Sequence, residues 1–164
     1  MKFYSLFNGL LIVVLLLIIS CGKKNKNNNN NNNTPPVLCN LNMSEIVAND
    51  TTYNITSDTC YATMNNTFYT EHQVSVGQGC SAEFEGTVFP VAGTYTITSV
   101  FNEVIPGSGK VYIQYYVNGK SYDAQSGTVT ITGSGTSSVL EFCKVKFRES
   151  FGEEKTVSLK SDSE

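Results

Sequence analysis

The chain has 164 residues, with 14 acidic side chains, 11 basic ones, one histidine and no tryptophan, so it has room for one domain of ordinary size. From residue 37 onward threonine occurs 16 times and valine 14 times but leucine only four times, a bias towards branched side chains that argues against an all-helical protein. Residues 37–109 carry seven acids and no lysine or arginine. This charge argues against nucleic acid or anionic lipid as the partner of that segment.

Residues 1–20 have the pattern of an export signal. Lys2 supplies a positive start, and Leu10–Ile19 is an unbroken apolar run of ten residues, shorter than the roughly 20 of a membrane-spanning helix. The run ends in Ile18-Ile19-Ser20-Cys21-Gly22, which resembles the lipobox of bacterial lipoproteins. The resemblance implies cleavage after Ser20, thioether lipidation of Cys21 and acyl chains such as palmitate, which anchor the mature protein in a membrane. The alternative is an ordinary secretory signal followed by a coincidental cysteine.

Residues 21–36 are predicted to be the lipidated cysteine and a flexible tether. They include three lysines and an unbroken asparagine run from 27 to 33, with no apolar side chain suited to burial. Such a segment cannot offset the entropy cost of its own ordering. We interpret it as a solubilising spacer that holds a single domain, residues 37–164, clear of lipid headgroups.

The domain is predicted to consist of short strands. Thr94–Thr98 and Val111–Val117 alternate apolar and polar residues, which is typical of half-buried antiparallel strands. Asn118-Gly119 predicts a two-residue hairpin turn, and the apolar positions of Val139–Arg148 change face near Phe142, which predicts a β-bulge. We therefore predict an all-β fold: an antiparallel β-sandwich, immunoglobulin-like or related, with about eight or nine strands.

Two resemblances bear on architecture and location. Pro90–Ile97 resembles the entry to a strand in immunoglobulin-like domains, where a tyrosine hydroxyl, here that of Tyr95, bonds back to the corner. The leader, the asparagine-rich tether and a strand-only domain together resemble the small, mostly uncharacterised β-sandwich lipoproteins of Bacteroidota-type bacteria. The second resemblance implies a cell-envelope protein that is anchored to a membrane and faces the periplasm or the cell surface. The outer membrane is the membrane that it favours. This resemblance implies no reaction.

Four cysteines remain once Cys21 is assigned to the anchor, and export permits their oxidation. We predict two disulfides among Cys39, Cys60, Cys80 and Cys143. Of the three connectivities, we favour Cys39 with Cys60 and Cys80 with Cys143, because sequential loops close most easily. Four buried free thiols are the alternative. The spacings of 21, 20 and 63 residues lack the Cys-x-x-Cys pairs of zinc sites, so no metal site is predicted from the cysteines.

Candidate binding residues lie on two of the predicted strands. Tyr112, Gln114 and Tyr116 share the outward face of one strand and form a candidate platform for a sugar or a protein partner. Burial against a second sheet is the alternative for these side chains. Glu83 and Glu85 share one face of another strand and are a candidate for a weak cation site, calcium being the cation considered. Ordinary exposed glutamates are the alternative, since the chain has no EF-hand loop.

No catalytic residue or cofactor is predicted. His72 is the only histidine, no Gly-x-Ser-x-Gly motif is present, and we interpret His72 as a surface residue. The expected function is that of a membrane-anchored, non-catalytic binding or interaction module with a glycan or protein ligand and no nucleic-acid partner. One alternative is a periplasmic or surface inhibitor of a cationic enzyme such as lysozyme, because small acidic exported domains suit basic enzymes. The other is a glycan-acting enzyme that uses the Glu83 and Glu85 pair.

Overall fold

The computed structural model describes residues 40–163, so the predicted signal peptide, the tether, Cys21 and Cys39 lie outside the described residues. Within residues 40–163 there is no helix that could span a membrane. Two short 3₁₀ turns occur, at Phe101–Glu103 and Gly135–Ser137. The strands are β1 Glu45–Ala48, β2 Thr51–Asn54, β3 Ser57–Ala62, β4 Thr67–Ser75, β5 Gln78–Glu85, β6 Gly93–Thr98, β7 Lys110–Val117, β8 Lys120–Ala124, β9 Thr128–Thr132, β10 Ser138–Arg148 and β11 Glu154–Ser163.

The predicted all-β class is confirmed, and the architecture is sandwich-like. The described part of the chain has eleven strands where about eight or nine were expected. Their hydrogen-bonded order is β2-β1-β11-β10-β9-β6-β7-β5-β4-β3, and β8 pairs with both β10 and β7. The ladder between β6 and β7 is parallel, whereas the other ladders of the described strands are antiparallel, so the sheet is mixed.

Five of the strands form a closed hydrogen-bonded circuit that connects two packed layers. The first half of β7 pairs with β6 and its second half with β8. β10 pairs with β9 through its first half and with β8 through its last residues. Because β6 also pairs with β9, the path β10-β9-β6-β7-β8 returns to β10. One layer is thus β3-β4-β5-β7 and the other β2-β1-β11-β10, and rings from both, Tyr115 and Phe147, meet 6.4 Å apart in the core.

Local sequence signals placed several of these features correctly. Val111, Ile113 and Tyr115 face the core with at most 2% exposure, as their alternation predicts. Asn118 and Gly119 both have positive φ, 54° and 74°, as the hairpin turn between β7 and β8 requires. The Tyr95 hydroxyl donates to the Val91 carbonyl at 2.9 Å, which confirms the predicted corner bond.

The predicted bulge in β10 is also confirmed, because the register with β11 shifts between Phe142 and Val145. Both of those residues face the core, and the two residues between them form the bulge, with Lys144 at φ 50°. Cys143 therefore lies in the bulge instead of at a core-facing position. Cys80, in contrast, is 1% exposed on the core side of β5 in the other layer.

The predicted Cys80–Cys143 disulfide is wrong, since both cysteines are free thiols. The bulge moves Cys143 away from the core-facing positions of β10. Cys80 lies in the core, where burial raises the pKa of its thiol. Cys60 is buried and disulfide-bonded. Its predicted partner, Cys39, lies outside the described residues, so that pairing stays a prediction.

The sandwich has two distinct ends. β1 and β11 run antiparallel, with Glu45 opposite Lys160 and Ala48 opposite Val157, so the chain enters β1 at the end where β11 finishes. We call this the terminal pole. The opposite pole carries the β1–β2, β7–β8 and β10–β11 turns, and we call it the turn pole.

Candidate functional site

The outward side of β3, β4, β5, β7 and β8 carries a continuous group of tyrosine, carboxylate and amide side chains. One cross-strand row is Glu71, Ser81, Gln114 and Asp123. The neighbouring row is Tyr61, Tyr69, Glu83 and Tyr112. We call this surface the tyrosine–carboxylate face and define it as Tyr61, Tyr69, Glu71, Glu83, Tyr112, Gln114, Tyr116 and Asp123. The predicted platform residues and the predicted carboxylate Glu83 therefore share one surface.

A glycine lets one tyrosine cross this face. Tyr116 on β7 lies opposite Gly79 on β5, and its hydroxyl donates to Glu71 Oε1 on β4 at 2.5 Å. A Cβ atom at position 79 would stand 2.5 Å from the Tyr116 hydroxyl and 2.5 Å from the His72 carbonyl oxygen. Gln73 Nε2 donates to the same Glu71 oxygen at 3.0 Å. Because Gly79 has no side chain, Tyr116 can lie across its position. The Tyr116 hydroxyl and the Gln73 amide together fix the Glu71 carboxylate.

Asp123 on β8 is fixed in a similar way. The Tyr112 hydroxyl donates to Asp123 Oδ1 at 2.6 Å, and Gln114 Nε2 donates to the same atom at 2.9 Å and to the Tyr112 hydroxyl at 2.8 Å. The edge of the Phe101 ring packs against Tyr112 with centroids 5.7 Å apart. The three predicted platform residues are half-buried side chains held in place by each other and by their neighbours.

The predicted cation pair has two different environments. Glu83 accepts a hydrogen bond from the Thr67 hydroxyl, whereas Glu85 accepts one from the Ser108 backbone amide at 2.8 Å. Within residues 40–163, no group of three or more histidine, cysteine, aspartate or glutamate side chains is arranged to hold a metal ion. Among these residues, no further side chain joins Glu83 and Glu85 to complete a cation site.

The carboxylates of the face are held by hydroxyl and amide donors and not by cations. In the part of the chain that the structure describes, the ion pairs formed by lysine and arginine join other acids, and Glu71, Glu83 and Asp123 are in none of them. Three negative charges on one half-buried surface therefore have no neighbouring cation among residues 40–163. An arrangement of this kind attracts positive charge from outside the molecule.

The tyrosine hydroxyls remain protonated beside these carboxylates. Burial, together with the hydrogen bond to Glu71, raises the pKa of Tyr116, and burial with the Asp123 contact raises that of Tyr112. Burial also raises the pKa of Tyr69 to about 12. The hydroxyls consequently serve as donors at neutral pH, and the negative charge of the surface resides on the carboxylates.

His72 is buried, which corrects the prediction of a surface residue. The residue is 2% exposed, because its position on β4 faces the core together with Phe68. Its Nδ1 lies 2.6 Å from Asp58 Oδ1 on β3, and the Ser161 hydroxyl of β11 donates to the same oxygen at 3.3 Å. Nε2 has no hydrogen-bond partner among the described residues. The group joins the two layers in the interior, away from the tyrosine–carboxylate face.

Sequence reasoning missed four members of the site: Tyr61, Tyr69, Glu71 and Asp123. A usable signal existed for Asp123, because the two-residue turn at Asn118-Gly119 fixes the register that puts Asp123 opposite Gln114. No local signal existed for Glu71. Its place depends on the register of β4, β5 and β7, and β7 begins 25 residues after β5 ends.

Comparisons with protein-family models, with curated proteins and with solved structures gave no significant match to this chain.

Proposed function

We propose that this protein is a non-catalytic binding module that docks a basic protein surface through its tyrosine–carboxylate face. The observation that carries the proposal is the presence of three fixed carboxylates, Glu71, Glu83 and Asp123, without a cationic partner within the described residues. Tyrosines beside them add rigid contact area and rings that attract cationic side chains. Charge complementarity favours lysine-rich and arginine-rich partners and speeds their association.

Preorganisation supports the same proposal. Tyr112, Gln114 and Tyr116 are held by hydrogen bonds of 2.5–2.9 Å, so little side-chain freedom is left to lose on binding. Glu71 and Asp123 each accept two hydrogen bonds from neutral donors, which keeps the charges in place without neutralising them. The face is therefore suited to an arginine or lysine that reaches the carboxylates across a tyrosine ring.

Replacing Glu71 with glutamine and Asp123 with asparagine should weaken binding to a basic protein. We expect the wild-type chain to bind lysozyme, used as the cationic probe, and the double variant to bind at least tenfold more weakly, about 1.4 kcal/mol. Binding of the wild type should also weaken steeply as salt rises from low to physiological concentration. Isothermal titration calorimetry at several ionic strengths measures both effects.

The matched control removes two charges elsewhere. Glu45→Gln with Asp162→Asn lies on β1 and β11 of the other layer and changes net charge by the same amount. Equal weakening by the control pair would show that total charge, and not this face, drives the association. Binding of an acidic protein of similar size with equal affinity would overturn the proposal.

An inhibitor of a cationic enzyme is a specific form of this function, and the same surface favours it. Lysozyme turnover measured in the presence of the wild type and of the double variant separates the two cases. Loss of turnover that the double variant relieves would support inhibition. Binding without loss of turnover would leave the docking function and exclude inhibition of lysozyme.

For location, we propose anchoring in the outer membrane through lipidated Cys21. The support is the sequence alone: the apolar leader, the lipobox-like Ile18–Gly22 and the asparagine-rich segment after it. Cells grown with a clickable palmitate analogue should yield labelled protein in the membrane fraction, and Cys21→Ser should abolish the label. A labelled Cys21→Ser protein would contradict the proposal. Cys143→Ser is the control and should keep the label.

A further inference from the structure

The turn pole contains a cavity whose lining shares no residue with the tyrosine–carboxylate face. Its volume is about 370 Å³, within the roughly 300–1,000 Å³ typical of small-molecule sites. The β1–β2, β7–β8 and β10–β11 connections converge there. Its lining residues from these three regions include Asn49, Tyr53, Asn118, Lys120, Glu153 and Lys155. Turns that meet at one end of a β-sandwich are a common place for binding sites.

The inner wall of the cavity is aromatic. Tyr115 and Tyr122, on neighbouring strands, are 2% and 1% exposed, and their ring centroids lie 6.2 Å apart. Tyr53 on β2 contributes a third, half-buried ring from the opposite layer. Gln78 Nε2 donates to the Tyr115 hydroxyl at 3.3 Å, which leaves that hydroxyl with its own proton to donate. Tyr115 and Tyr122 thus close the bottom of the cavity, and Tyr53 is the ring of the three with surface left to contact a ligand.

The outer rim of the cavity is charged but balanced. Glu153 lies between two lysines, 2.7 Å from Lys120 Nζ and 2.9 Å from Lys155 Nζ. Lys120 is also 3.5 Å from Glu149, a carboxylate just outside the lining, so two carboxylates compensate the two lysines of the rim. Lys155 Nζ lies 5.0 Å from the centroid of the Tyr122 ring. The lysine hydrogen bonds lower the pKa of Glu153 to about 2, so the group stays ionised and accepts hydrogen bonds at neutral pH.

We propose that this cavity binds a saccharide of one or two rings. A sugar hydroxyl accepts from a lysine and donates to a carboxylate at the same time, so it fits a rim in which Lys120, Glu153 and Lys155 alternate. The half-buried ring of Tyr53 packs against the C–H face of a sugar ring. The balanced charges favour neither an anion nor a cation, which sets this cavity apart from the tyrosine–carboxylate face.

Glu153→Gln tests the proposal with little change of shape. Full-length protein is titrated with glucose, galactose, N-acetylglucosamine and their β-1,4-linked disaccharides, and binding is followed by saturation-transfer NMR and calorimetry. We expect saturable binding of at least one sugar by the wild type and at least tenfold weaker binding by Glu153→Gln. The amide signals of Asn118 and Gly119 should shift on titration.

The neighbouring substitution Glu154→Gln is the matched control, because Glu154 pairs with Arg148 and does not line the cavity. It should bind sugar as the wild type does. Failure of every sugar to bind, or equal binding by Glu153→Gln and the wild type, would overturn the proposal. The Glu71→Gln/Asp123→Asn variant should keep its sugar binding, so the outcome is independent of the proposed docking function. If the Glu71→Gln/Asp123→Asn variant lost sugar binding and Glu153→Gln kept it, the sugar site would lie on the tyrosine–carboxylate face. That result would also refute sugar binding in the cavity.

Discussion

Alanine at position 79 should lower the free energy of unfolding by about 1–3 kcal/mol, the usual cost of forcing a group into a packed site. The added Cβ would stand 2.5 Å from both the Tyr116 hydroxyl and the His72 carbonyl oxygen. The tyrosine can rotate away, but the carbonyl belongs to the paired strand β4 and cannot move without disturbing the ladder. Urea denaturation followed by tyrosine fluorescence measures the change in stability.

Gly93→Ala is the matched control for this prediction. Gly93 also lies in a strand, and the nearest atom to its added Cβ is a carbonyl oxygen 4.0 Å away. Alanine there should leave stability within about 1 kcal/mol of the wild type and can raise it slightly by restricting the unfolded chain. If both alanine variants lose the same stability, the close approach of β4 and Tyr116 to Gly79 is not the cause.

Replacing Asp58 with alanine should cost about 3 kcal/mol of stability, because it leaves buried polar groups without their acceptor. The carboxylate accepts from His72 Nδ1 at 2.6 Å and from the Ser161 hydroxyl at 3.3 Å. His72 and Ser161 are 2% and 0% exposed, so water has little access to take the place of the carboxylate. Thermal unfolding followed by circular dichroism gives the loss.

The Asp58→Ala/His72→Leu double variant completes a cycle that isolates the pair. Removing both partners leaves no unsatisfied imidazole, so we expect the double variant to lose at least 1 kcal/mol less than the two single variants together. His72→Leu alone supplies the fourth corner. Additive losses would show that the two side chains stabilise the fold independently and would refute the coupling.

Features encoded by neighbouring residues were predictable from the sequence. The alternation in Val111–Val117 reports which side faces the core, because side chains on a strand alternate with a period of two. The Asn118-Gly119 turn and the Tyr95 corner depend on contacts only a few residues apart. The shift of parity near Phe142 revealed the bulge for the same reason.

Features that depend on distant parts of the chain were not predictable. His72 follows the alternation of β4, but an imidazole suits either face, and the decision comes from Asp58 on β3 and Ser161 on β11. The bridge between Cys80 and Cys143 was favoured by chain order, whereas the bulge decides where Cys143 lies. The residues of the tyrosine–carboxylate face that the sequence indicates form two separate candidate sites on two strands. Only the long-range register of β5 and β7 brings Glu83 opposite Tyr112.

The arrangement of the two poles has a practical consequence for presenting this protein to ligands. The last strand finishes at the end where the chain enters β1, and Ala48 and Asn49 at the far end of β1 line the cavity. A fluorescent reporter or a capture tag fused to the carboxyl terminus would therefore emerge at the terminal pole, where β1 begins. Molecules immobilised on a sensor chip by such a tag would direct the cavity at the turn pole to the flowing solution.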